Sequence, residues 1–159
     1  MNLVVFGAVV LALLHFVLHV GFGFEAGAPD FATLGLLIAA RELRVGSAAG
    51  AGFALGLLED ALNDLAFGAS TIAMTVLGAA GSRSRDLFVG DSFTFVLIYL
   101  FAGKWVRDLI QWIITASELR EPFERAMLID SSAAALYLAV VGLALARLFG
   151  NRFDGGGAS

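Results

Sequence analysis

Cysteine is absent from the 159 residues. That excludes a disulfide framework and a thiolate metal site, and it leaves the redox compartment unspecified. Charge is scarce as well: Asp, Glu, Lys and Arg make up 15% of the chain, where a soluble domain carries roughly a quarter. No phosphate-binding glycine loop, HExxH or GxSxG motif occurs, and no basic stripe suits nucleic acid. An enzyme is therefore not expected, and neither is a cofactor. No internal repeat or second domain is visible.

Apolar residues fill the space that charge leaves. They are 59% of the chain, the mean hydropathy is +0.87, and they come in blocks. Leu3 to Gly23 holds no Asp, Glu, Lys or Arg, enough to cross a hydrocarbon core of ~30 Å at ~1.5 Å per residue. Further blocks lie at 30–45, 47–67, 69–81, 92–114 and 126–149. The expected fold is all-α, a polytopic membrane bundle of about six spans forming one domain over 1–150. Residues 151–159, which end in DGGGAS, are expected to be a disordered tail. Ala26-Gly27-Ala28 resembles a signal-peptide cleavage site, but no Lys or Arg precedes the first block, so a retained span is preferred.

Arginine sets the orientation. With six spans and a cytoplasmic N-terminus, Arg41, Arg44, Arg83, Arg85, Arg147 and Arg152 fall inside, and Arg120 and Arg125 outside. The positive-inside bias favours that arrangement, with both termini cytoplasmic. The short second and fourth blocks could be re-entrant; removing both would move Arg41 and Arg44 outside, so six spans is the better count.

The segment GLLEDALND (56–64) carries three carboxylates in an apolar block. On a helix, Gly46/Gly50 and Gly52/Gly56 form small-xxx-small pairs that admit a close neighbouring backbone. Gly52, Gly56, Asp60 and Asp64 form one stripe with Asn63 beside it, and Glu59 points about 100° away from Asp60. Asp60 falls only ~5 Å past the midplane. An ionised Asp there costs about 2.5–3.5 kcal/mol, so it must face the bundle or a hydrated cavity. It is either a relay or binding-pocket acid, or a structural joint that pairs with a cation or caps backbone groups. The structural reading is preferred. In FAGKWVRDLIQW (101–112), Lys104 and Asp108 are one turn apart. Across the bundle, Lys104 or Arg107 is also an available cationic partner for Asp60, which is one hypothesis for the joint. His15 and His19 share a face of the first block, but a zinc site needs a third ligand that no spacing supplies. Neutral histidines between helices are expected, with no metal. Trp112 falls near the outer interface, where an aromatic belt is expected.

The run from Ala28 to Asp86 resembles the MreD family of bacterial rod shape-determining membrane proteins. Pro29-Asp30 opens the second block and Arg41 to Arg44 closes it; the third ends in G-x-x-x-G-x-x-x-D (Gly52, Gly56, Asp60), and Gly68 makes the turn to the fourth. Glu59 and Asn63-Asp64 depart from the pattern. The resemblance implies a fold similar to the substrate-binding component of energy-coupling-factor transporters. It also implies a non-enzymatic scaffold in the bacterial inner membrane. Such a scaffold holds the single span of MreC, near MreB, RodA and a class B penicillin-binding protein, and supports peptidoglycan synthesis. Partner-binding or structural roles then fall on Pro29, Asp30, Gly46, Gly50, Gly52, Gly56, Asp60, Asp64, Gly68, Lys104, Arg107 and Asp108. The alternative is a substrate-binding component of a vitamin-type transporter, with carboxylates lining a ligand pocket.

Overall fold

The computed structural model describes residues 3–22, 29–62, 67–84, 93–116, 118 and 120–150; the tail at 151–159 lies outside them, as do Arg85 and Arg152. The described residues are all-helical, with no strand. Helix α1 (Leu3–Phe16) runs on into a π-helical turn (Val17–Gly21). It is followed by α2 (Phe31–Glu42), α3 (Val45–Ala61), α4 (Ala69–Ser84) and α5 (Phe93–Ile114). A π-helical segment (Glu124–Ser131) then leads without a break into α6 (Ser132–Gly150).

Each boundary has a local cause. Asp30 caps α2, its carboxylate accepting from Thr33 N at 3.0 Å and from Thr33 Oγ1 at 2.7 Å. That satisfies one of the N–H groups a helix start leaves free. Only Leu43 and Arg44 separate α2 from α3, and the Leu43 carbonyl, at that corner, accepts from Ser82 Oγ at 2.7 Å. Between α3 and α4, Gly68 adopts φ +96°, a conformation that is strained for residues with a Cβ.

The bundle is built around α2. Leu34, Leu36 and Leu37 are fully buried there, alongside Ala32, Met74, Leu77, Leu100 and Leu138. Helix α1 packs on α2, α3 on α4, and α5 on α6, while α4 also touches α2 and α5. The α3–α4 contact is set by glycine. A Cβ on Gly52 would run into the Met74 carbonyl, one on Gly56 into the Ser70 backbone, and one on Gly78 into the Ala48 carbonyl. The Gly52/Gly56 stripe is thus consumed inside the protein. Gly46 and Gly50 differ: a Cβ on either would meet nothing within 4 Å among the described residues.

Beside this apolar core the protein buries several charged groups and leaves many large apolar side chains exposed. His15, Asp60, Lys104 and Arg107 are buried, while Phe6, Leu13, Phe53, Leu58, Ile98, Ile113, Leu128, Ile129 and Val140 are exposed. Every helix except α2 exposes large apolar side chains. Among the described residues one helix is both long and apolar enough to cross a membrane, Glu124–Arg147, with 24 residues and a hydropathy of 1.9. Only 28% of its apolar window is covered by the rest of the protein, which is unlike the core helix of a soluble domain. The other blocks miss that standard for identifiable reasons. Helices α2, α3 and α4 have 12, 17 and 16 residues, and α5 carries Lys104, Arg107 and Asp108.

Candidate functional site: a buried ion-pair cluster

One half of the bundle gathers charge from four helices. It lies where α1 ends, α2 begins, α3 ends and the second half of α5 passes. The Arg107 guanidinium on α5 is its hub: Nη1 donates to Asp30 Oδ2 and Nη2 to Glu59 Oε2. Lys104, one turn earlier on the same face, donates to Asp108 Oδ1 at 2.5 Å and lies 3.4 Å from Asp30 Oδ2. Asp108 is held in turn by Ser131 Oγ at 2.8 Å. His15 on α1 closes the set, with Nδ1 3.8 Å from Asp30 Oδ1 and Nε2 3.6 Å from Glu59 Oε1. His19 stacks on it at 4.1 Å between ring centroids and sets its own Nδ1 3.1 Å from the His15 carbonyl oxygen.

Asp60 is not part of this cluster. Its carboxylate accepts from Gly68 N at 2.9 Å, Ser70 N at 3.0 Å, Thr71 N at 2.9 Å and Thr71 Oγ1 at 2.5 Å. These backbone donors belong to the start of α4, so Asp60 caps the next helix from the end of α3. The pairing of Asp60 with Lys104 or Arg107 therefore does not occur. The side chain turns towards α4, where three N–H groups and the positive end of the helix compensate its charge. Glu59 is also corrected. The 100° that separates it from Asp60 does not set it apart from the site but aims it at α1 and α5, where Arg107 is found.

Asp60→Ala is expected to cost about 2 kcal/mol or more, because several buried donors lose their acceptor together. Asp60→Asn should cost less, since one acceptor oxygen survives. Hydrogen exchange at the Ser70 and Thr71 amides measures this directly, and unchanged protection in Asp60→Ala would sink the capping account.

The structure brings together Asp30, Lys104, Arg107 and Asp108 from the sequence expectations. Pro29 lies just ahead of the cap, its carbonyl accepting from Phe31 N at 2.8 Å. Gly52, Gly56 and Gly68 serve the α3–α4 hairpin, and Gly46 and Gly50 stand on open surface. Asp64 and Asn63 lie outside the described residues. Sequence reasoning missed Glu59 and His15 as members of the cluster. A further link is Gln111 Nε2, which donates to Ser70 Oγ at 2.7 Å and so ties α5 to the capped start of α4.

Next to Asp108 the protein opens into a cleft of ≈ 370 Å³, lined by Gln111, Thr115, Arg120, Asp130 and Ser131 among others. Arg120 stacks over Trp112 at 4.5 Å there, and Trp112 Nε1 donates to the Glu121 carbonyl at 2.9 Å. His15, Asp30 and Glu59 place one potential ligand atom each within 4.8 Å of one another. Arg107 and Lys104 already occupy those carboxylates, so the arrangement is an ion-pair network and not a built metal centre. Comparison with protein-family models, with curated proteins and with solved structures finds no match.

Proposed function

We propose that the chain is a multi-pass protein of the bacterial inner membrane that acts as a non-enzymatic scaffold. In this reading it is a six-span, MreD-like protein that holds the single span of an MreC-type partner. It works beside MreB, RodA and a class B penicillin-binding protein in peptidoglycan synthesis. The observation that carries the reading is the division of labour between two glycine pairs on α3. Gly52 and Gly56 are covered by α4, whereas Gly46 and Gly50 leave a smooth surface that nothing among the described residues covers. A smooth surface beside exposed Phe53 and Leu57 suits a transmembrane helix, because association in lipid depends on close backbone approach.

The exposed apolar side chains support the membrane setting, since large exposed apolar faces need lipid or a partner. Helix polarity and contacts support the orientation. Arg41 stacks on Phe95 at 5.2 Å and Arg147 on Phe93 at 4.8 Å, at the end where Arg44 and Arg83 also fall. Four arginines at one end fit a cytoplasmic face.

A second reading has one observation of its own. The cleft beside Asp108 is within the size range of small-ligand sites, about 300–1,000 Å³, and its mostly apolar lining with a few polar side chains suits a transporter's substrate-binding component.

Purification from native membranes separates the two. The scaffold reading expects a single-span protein with a periplasmic coiled coil to co-purify, and Gly46→Leu with Gly50→Leu to lose it while the bundle stays folded. A tightly held vitamin-like molecule, released on unfolding and absent after blocking the cleft, would establish the second reading instead.

A further inference from the structure

The cluster is one charge out of balance. Asp30, Glu59 and Asp108 contact two cations, Lys104 and Arg107, so full ionisation leaves one negative charge in excess. The side chains concerned are almost wholly enclosed: those of His15 and Glu59 are each 10% exposed and that of Arg107 is 8% exposed. An uncompensated charge in such a place costs several kcal/mol.

Three buried polar atoms also lack a hydrogen-bond partner: His15 Nδ1, Glu59 Oε1 and Arg107 Nε. Two of them belong to the one pair that carries no fixed positive charge. The His15 ring stands between two carboxylates with a nitrogen turned towards each, Nδ1 to Asp30 and Nε2 to Glu59. The excess charge and the unpaired atoms meet at the same place.

We propose that His15 and Glu59 together bind one exchangeable proton, which brings the cluster to neutrality. On Glu59, the proton turns Oε1 into a donor facing the His15 ring. On His15, it makes both nitrogens donors facing Glu59 and Asp30. The pair is one site with two positions for the proton, and its titration belongs to the pair and not to either residue.

Every element packed on the site contributes to its balance. His19 stacks on the ring from the continuation of α1, and Asp30 faces it from the cap of α2. Asp60 is adjacent on α3 but is held by α4, and α5 supplies Lys104, Arg107 and Asp108. Asp108 also lines the open cleft. Asp108, Lys104 and Asp30 touch in sequence, so a continuous polar path joins the cleft to the ring. A divalent cation is the competing occupant, but charge counts against it. A dication would turn one excess negative charge into one excess positive charge, beside two fixed cations, whereas a proton gives zero. The proposal is independent of the scaffold reading, and loss of a partner would leave it standing.

The test uses the full chain in lipid nanodiscs. Infrared spectra with isotope-labelled glutamate read Glu59, and imidazole nitrogen resonances read His15. Near neutral pH one proton is expected on the pair, and raising the pH should remove it in a single step seen by both probes. In Glu59→Gln the carboxyl signal and the shared step are lost. An ionised Glu59 and a neutral His15 throughout the titration of the unmodified protein would overturn the proposal, and that measurement needs no variant. So would a rise in melting temperature with added Zn²⁺ or Na⁺ that His15→Asn abolishes, because the balancing charge would then be a metal ion.

Discussion

Arg107→Leu should unfold this protein or leave it barely folded. Among the described residues, the substitution takes from Glu59 its one fixed cationic partner and from Asp30 one of two, leaving His15 beside both. Removing one partner from a buried ion pair costs about 3–5 kcal/mol, because the remaining charge stays where water cannot reach it. The expected fall in melting temperature is on the order of 10 °C for a chain of this size. Arg107→Lys should rescue only part, since a single Nζ has to replace two guanidinium nitrogens, Nη1 and Nη2, that each meet their own carboxylate. Arg107→Leu combined with Glu59→Gln should recover part of the loss, because the pair leaves the core together. Arg125 provides the contrast. It lies 4.0 Å from Glu121 and from Asp130 with 71% of its side chain exposed, and such pairs contribute ~0–1 kcal/mol. Thermal unfolding in detergent, with monodispersity as a second readout, compares them. An Arg107→Leu protein as stable as Arg125→Leu would remove the cluster from any account of this fold.

The second large effect comes from a single methyl group. In Gly52→Ala the new Cβ falls on the Met74 carbonyl, and in Gly78→Ala it falls on the Ala48 carbonyl. Backbone cannot step aside as a flexible side chain does, so α3 and α4 must separate. Overpacking of this kind costs about 1–3 kcal/mol and occasionally more. The same change two residues away, on the opposite side of α3, is the control. Gly50→Ala meets nothing within 4 Å, and alanine's better helix propensity should leave it neutral or add up to ~1 kcal/mol. A cysteine pair placed across α3 and α4 would report the separation directly. Equal behaviour of Gly52→Ala and Gly50→Ala would mean that the two helices are not in close contact.

Much of this arrangement is legible in the sequence because it is local. Apolar blocks bounded by arginine, glycine and Pro29-Asp30 mark six helical segments, close to where they fall. Lys104 and Asp108 meet because a helix places residues four apart on one face. Asp60 was harder: a carboxylate that caps backbone has no partner side chain to give it away, and an available cation drew the pairing elsewhere. The His15–Glu59–Arg107 contacts depend on the rotation and tilt of three helices about their axes, which no single helix encodes. Among the described residues one helix meets a strict length and apolarity standard, and the number of spans is not legible for a related reason. A short helix such as α2 is apolar from Leu34 to Ala40 because other helices enclose it, and composition alone does not separate enclosure from contact with lipid.

The Asp60 cap and the Arg107 hub differ in when they can form. Asp60 meets its donors within 11 residues of chain, whereas Arg107 is 48 residues beyond Glu59 and 77 beyond Asp30. During synthesis the α3–α4 hairpin can therefore close on its own acid as soon as both helices have emerged. Asp30 and Glu59 must wait for α5, and until then the growing chain holds two acids without Lys104 or Arg107. The arrival of α5 is thus the step that brings both acids their fixed cations, and it comes only after the α3–α4 hairpin is complete.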